Sequence, residues 1–214
     1  MKLLFIGNSY TYFNEMPEQL EALMRENGFD VTVHSVTKGG RKLREYTEID
    51  DSYRDTINTY ASEGGYDVLI LQEQSFYALV DKEGFILGVR ELASKVGAAR
   101  TVLYATWGRG DGCPLLDEYG WTRESMTEGL AAAYGEAAEL ISGEVSAVGR
   151  AFYRMLELYP DSALYTEDLS HPSRLGTALG VLTHYKTITG KLPEKHASLN
   201  LDEVTLSRMT EALA

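Results

Sequence analysis

Three short runs, residues 3–6 (LLFI), 67–71 (DVLIL) and 100–106 (RTVLYAT), have continuous apolar centres, and stretches of helical periodicity separate them. A strand that is apolar on both faces has to be covered on both faces, and a parallel sheet between two layers of helices provides that cover. Two further strands are predicted over residues 30–36 (DVTVHSV), by alternation, and over 144–148. Helices are predicted over 17–27, where Leu20, Leu23 and Met24 share a face and Gly28 stops the turn, and over 50–62, 83–96, 123–141 and 172–189, with a last one from about residue 201. The expected architecture is a three-layer α/β/α sandwich with a mostly parallel, doubly wound, five-stranded sheet of flavodoxin-like type, residues 1–214 forming one domain. The connection over 107–121 (WGRGDGCPLLDEYGW) has the length of a lid or binding loop.

Composition narrows the partners. The 20 basic and 32 acidic residues leave a formal charge of −12, which repels nucleic-acid backbones and anionic membrane surfaces. The single cysteine, Cys113, can form neither an internal disulfide nor a cysteine zinc site. No His/Cys/Asp/Glu spacing suits a metal, and no glycine fingerprint suits a nucleotide, so the chain is expected to work without metal or cofactor. The four-residue apolar run at 3–6 is too short for a signal-peptide core or a membrane span, and a cytoplasmic protein is expected.

In an open parallel sheet the ligand lies beyond the carboxyl ends of the strands. Gly7-Asn8-Ser9 follows the first predicted strand, Lys38-Gly39-Gly40-Arg41 the second and Gln72-Glu73-Gln74-Ser75 the third, while Asp168-Leu169-Ser170-His171-Pro172 precedes the last core helix. Together these residues fit acyl-transfer chemistry. Ser9 is placed as nucleophile and His171 as its base, with Asp168 fixing the imidazole tautomer and Pro172 starting the next helix. The oxyanion needs donors, for which Ser9 N–H, the backbone of Gly40 or Gly39, and the carboxamide of Gln72 or Gln74 are available.

These blocks, in this order, resemble those of the SGNH (GDSL-type) hydrolases. Gly7-Asn8-Ser9 matches the nucleophile block, Gly39-Gly40 the oxyanion-glycine block and Asp168-Leu169-Ser170-His171 the late Asp-x-x-His. The third block departs, because Gln72-Glu73-Gln74-Ser75 stands where the family has Gly-x-Asn-Asp. It is similar to the Gln-Gly-Glu motif of the sialate and acetyl-xylan esterase branch, which favours Gln72 as the third donor with Gln74 in reserve. The resemblance implies a serine esterase that removes a short O-acyl group, such as acetyl, from a carbohydrate or other small ester. An acyltransferase using the same triad and a non-catalytic carbohydrate-binding module on the same fold are the rival readings.

Taken singly, Ser9 is a common turn residue and His171 a common loop residue; their combination with Asp168 carries the catalytic reading. Tyr10, Tyr12, Phe13, Phe76, Tyr77 and Trp107 all follow strand ends. Tyr10, Phe76 and Trp107 are expected to line the substrate mouth, although packing beneath loops explains each equally well. Lys38, Arg41, Lys42 and Arg44 form a basic cluster beside the glycine pair, from which Arg41 is expected to supply a positive rim for an anionic ester. His34, His184 and His196 are expected at strand edges or helix surfaces.

Overall fold

The computed structural model describes residues 1–214. Strands β1 (Lys2–Gly7), β2 (Thr32–Thr37), β3 (Val68–Leu71), β4 (Arg100–Tyr104) and β5 (Glu144–Ser146) form one sheet in the order 2-1-3-4-5, with every pairing parallel. The helices are α1 (Ser9–Tyr12), α2 (Met16–Glu26), α3 (Glu45–Glu48), α4 (Ser52–Glu63), α5 (Tyr77–Val80), α6 (Lys82–Val96), α7 (Pro114–Tyr119), α8 (Arg123–Ile141), α9 (Val148–Leu158), α10 (Arg174–Thr189) and α11 (Glu203–Ala212).

Strand periodicity divides the core into two layers. Leu3, Phe5, Val68, Ile70, Val102 and Tyr104 point to the face covered by α2, α9, α10 and α11. Their neighbours Leu4, Ile6, Leu69, Leu71 and Leu103 point to the other face, covered by α4, α6 and α8. All eleven are buried, each large aliphatic side chain contributing on the order of 1.5–3 kcal/mol of transfer free energy. The helices start where their caps dictate. Asp51 accepts from the Tyr53 and Arg54 N–H groups at α4, Thr122 and Ser125 form a reciprocal capping box at α8, and Ser173 accepts from Gly176 N–H at α10.

Three local expectations are corrected. Residues 149–171 are expected to carry no element, yet α9 runs from Val148 into them as far as Leu158, burying Val148, Ala151, Phe152, Met155 and Leu156 on one helical stripe. Pro172 does not open α10. It lies before the Ser173 cap, in an antiparallel bridge with Tyr165. The 107–121 connection is not a free lid, because Trp107, Cys113 and Leu116 are buried within it and Gly110 N–H donates to Leu169 O at 2.8 Å.

His184 is also misplaced by the sequence reading. It lies on α10 with none of its surface exposed, edge-on to Phe5 and Tyr104, and neither ring nitrogen has a hydrogen-bond partner. Burial in this apolar setting lowers its pKa to about 3. Between the ordinary histidine range and about pH 3 the unfolded chain therefore binds one more proton here than the folded one, and stability falls as the pH is lowered. The melting-temperature difference between His184→Leu and wild type is expected to shift in favour of the variant as the pH drops from 7 to 4. A difference that stays constant across that range contradicts this account.

Candidate active site

The site is built where the strand order reverses, between β1 and β3, the place at which a doubly wound sheet opens a crevice. Gly7 ends β1 in tight quarters. A Cβ at this position would fall 2.4 Å from Thr11 Oγ1 and 2.7 Å from Gln72 Oε1, so the close approach of the three segments requires glycine. Asn8 is buried and fully used. Its N–H donates to Gln72 Oε1 at 2.9 Å, its Nδ2 to Arg41 O at 3.1 Å, and its Oδ1 accepts from Tyr10 N–H at 3.2 Å. These bonds set Ser9 at the first position of α1, where its N–H has no intrahelical acceptor.

The second half of the site comes from the loop closed by the Tyr165–Pro172 bridge. Thr166 N–H donates to His171 O and Leu169 N–H to Thr166 O, and Leu169 adopts a left-handed φ of 56°. Asp168 is the hub of this loop. Its Oδ1 accepts from the Ser170 and His171 N–H groups, both at 2.9 Å, and from Thr166 Oγ1 at 2.8 Å, while Oδ2 faces His171 Nδ1 at 2.5 Å. Burial tends to raise the Asp168 carboxyl, but the hydrogen bonds from His171, Thr166 and Ser170 outweigh it and hold the group well below the usual carboxylate range. An ionised Asp168 places the proton of a neutral imidazole on Nδ1. Nε2 then accepts from Ser9, whose Oγ lies 2.8 Å away across a separation of 162 residues. The Phe13 ring stacks on the imidazole at 4.3 Å and 15°, and the Tyr10 ring meets it at 5.4 Å in an edge arrangement, so the imidazole is held on two sides.

Residues 38–41 form a turn closed by Arg41 N–H to Lys38 O at 3.1 Å, with Gly40 at φ 71°, a conformation that favours glycine. The N–H groups of Gly39 and Gly40 have no partner within the chain.

The third block differs from expectation. Gln72 is fully buried and its carboxamide is engaged inside the fold: Oε1 accepts from Asn8 N–H and Thr11 Oγ1, and Nε2 donates to Glu73 O. It is a strut between β1 and β3 and is not available as an oxyanion donor. Gln74 is only half-buried. Its Oε1 is sealed from solvent without a partner, and its Nε2 makes no hydrogen bond within the chain. Between the two glutamines, buried Glu73 accepts from Gln74 N–H at 2.6 Å and from Leu43 N–H at 3.2 Å, tying the β3 loop to the segment after the glycine turn. Burial pushes its carboxyl up to about 7 against the pull of those two N–H donors.

The expected substrate contacts are largely corrected. Tyr10 is buried beneath the site with its hydroxyl on Ser170 Oγ at 2.8 Å, and Trp107 is buried between Tyr10 and Phe152, stacked on both. Arg41 points inward. It is 3% exposed, bonded to Asp51 Oδ2 and Glu45 O at 2.6 Å each, with its guanidinium over the Tyr46 ring. Elsewhere in the basic cluster Arg44 pairs with Glu48, and Lys38 and Lys42 lie over the rings of Tyr53 and Tyr77. Phe76 alone of the expected contacts stays partly open, in a surface cluster with Tyr77, Tyr119 and Trp121. Arg109, which no motif marked, reaches the site from the β4 loop and donates to Ser75 Oγ at 2.7 Å.

No family model matches the sequence, and no curated protein matches it. Solved structures do. A candidate SGNH hydrolase from Slackia heliotrinireducens superposes with a TM-score of 0.76 at 27% identity, over 88% of this chain and 98% of that one. A lipase/acylhydrolase from Enterococcus faecalis gives 0.65 at 15% identity, over 91% and 99%. A catalytic mutant of Axe2, an acetylxylan esterase from Geobacillus stearothermophilus, gives 0.63 at 16% identity, over 86% and 91%. The likeness to the last two is one of fold. No helix is long and apolar enough to cross a membrane. The all-parallel sheet in the order 2-1-3-4-5, flanked by helices on both faces, is the fold of the SGNH hydrolases, and the structural neighbours of this chain are SGNH- and GDSL-like hydrolases.

Proposed function

We propose that this chain is a serine ester hydrolase that removes a short O-acyl group, such as acetyl, from a carbohydrate or another small ester. The observation that carries the reading is the hydrogen-bonded chain from Ser9 Oγ through both nitrogens of His171 to Asp168 Oδ2. The esterases among the structural neighbours support it.

In the proposed reaction Ser9 Oγ attacks the ester carbonyl while His171 Nε2 takes its proton, and the C=O π electrons move onto oxygen. That oxyanion is met by Ser9 N–H, Gly40 N–H and Gln74 Nε2, with Gly39 N–H beside them. The intermediate collapses, the C–O bond to the alcohol breaks, and the alkoxide leaves with the proton held by His171. Water then attacks the acyl-serine, giving a proton to His171; collapse of the second intermediate frees the carboxylic acid and returns that proton to Ser9 Oγ. Asp168 keeps Nδ1 as a donor throughout and stabilises the imidazolium.

The decisive test is labelling with a fluorophosphonate probe and peptide mapping, beside hydrolysis of a short-chain aryl ester. Adduct on Ser9 together with turnover supports the reading, and an intact protein showing neither overturns it. The two glutamines separate within the same assay. Gln74→Ala is expected to lower kcat by about 10²–10³ with an unchanged melting temperature. Gln72→Ala, which leaves Asn8 N–H and Thr11 Oγ1 without their acceptor, is expected to cost about 1–3 kcal/mol of stability. If Gln72→Ala melts normally and loses the activity, the donor assignment is reversed.

A further inference from the structure

We infer that Arg109 makes this site selective for esters that carry a carboxylate; the inference rests on the esterase reading above. The other two arginines whose Nε is sealed without a partner are each paired with a carboxylate, Arg41 with Asp51 at 2.6 Å and Arg123 with Asp111 at 3.0 Å. Arg109 has no carboxylate within 4.0 Å. The acids near it are already committed: Asp111 to Arg123, and Asp168 to His171 and to its own loop.

Its surroundings belong to the catalytic segments. Nη2 donates to the hydroxyl of Ser75, the residue after Gln74, and the guanidinium carbon lies 5.7 Å from the ring centroid of Tyr10, the residue after Ser9. The next residue, Gly110, donates its N–H to Leu169 O, inside the Asp168–His171 loop. Arg109 is half-buried, and its Nε is sealed from solvent with no partner. A neutral hydroxyl and the face of a ring do not balance a partly desolvated guanidinium, whereas a carboxylate can take two of its N–H groups at once. In a chain of net charge −12, an anionic substrate would otherwise be repelled, so an uncompensated cation among the catalytic loops has a use that a neutral ester does not require.

The test compares three aryl esters in wild type, Arg109→Gln, Arg109→Lys and Arg109→Glu. Phenyl acetate is neutral, monophenyl succinate carries its carboxylate on the acyl side, and 4-acetoxybenzoate carries it on the leaving group. Wild type is expected to favour at least one carboxylate ester over phenyl acetate by tenfold or more in kcat/KM, and the responding substrate tells on which side Arg109 acts. Arg109→Gln should cut that ratio at least tenfold, chiefly through KM. Arg109→Lys should retain part of it, and Arg109→Glu should transfer the preference to a trimethylammonium-bearing phenyl acetate. A wild type without the preference, or an Arg109→Gln protein that keeps the ratio, overturns the inference. If Ser9 takes no fluorophosphonate and no ester turns over, the esterase reading is what fails. The anion site is then judged by calorimetric titration with sodium succinate, where binding lost in Arg109→Gln supports it and an absence of binding in wild type overturns it.

Discussion

Ser9→Ala should lower kcat for a short-chain aryl ester by about 10⁴–10⁶ and eliminate fluorophosphonate labelling, while the protein melts as wild type does. The hydroxyl takes part in one hydrogen bond, to His171 Nε2, so its loss removes the nucleophile without opening the core. His171→Ala should be equally damaging, because the oxygen then has no acceptor for its proton. The double variant should be no worse than either single one, since nucleophile and base act as a unit. The residual rate, which comes from binding and the oxyanion donors, should be the same in all three. A Ser9→Ala protein that keeps a tenth of the wild-type kcat would remove the mechanism altogether.

Asp168→Asn should cost about 10⁴ in kcat at neutral pH, an effect of tautomer and not of shape. An asparagine can keep its carbonyl toward Thr166 Oγ1 and the Ser170 and His171 N–H groups, so the loop keeps its form. The other end of the side chain becomes an NH₂ group facing Nδ1, which must then accept. The imidazole proton moves to Nε2, and Ser9 loses its acceptor. The wild-type pH profile carries the matching signature. Hydrogen bonding holds the Asp168 carboxyl well below its usual range, so protonation of Asp168 should add no second step to the acid limb of kcat/KM. A variant with wild-type kcat at pH 7, or a limb of slope two in the wild type, would contradict the assignment.

The fold was legible in the sequence because burial on both faces leaves a composition signal that needs no partner information. LLFI, DVLIL and RTVLYAT read as interior strands, and the helices between them lie within a few residues of their predicted places. The stripe that makes α9 was equally visible in Val148, Ala151, Phe152 and Met155, and went unread only because a short strand had been drawn into its first residue. The contact of Ser9, His171 and Asp168 was legible for a different reason. Asp168 and His171 are local partners, and Ser9 follows a strand, so spacing alone brings two of the three together. What a sequence does not show is which side of a loop residue faces inward. Gln72 and Gln74 are two apart and chemically identical, and only the register of β3 beside β1 turns the first into a strut. Arg41 and Trp107 follow the same lesson, since an aromatic or cationic residue at a strand end becomes core when Asp51 or Phe152 is waiting for it.

The 162 residues between nucleophile and base also have a meaning in time. The chain is made from its N-terminus, so Ser9 leaves the ribosome 162 residues before His171. β1, which delivers Ser9, lies in the middle of the sheet and is covered on one face by α10, the helix that follows His171. On the proposed mechanism the emerging chain holds its nucleophile without a base until the closing helix is laid over the central strand. A chain ended before His171 would then carry an inert serine.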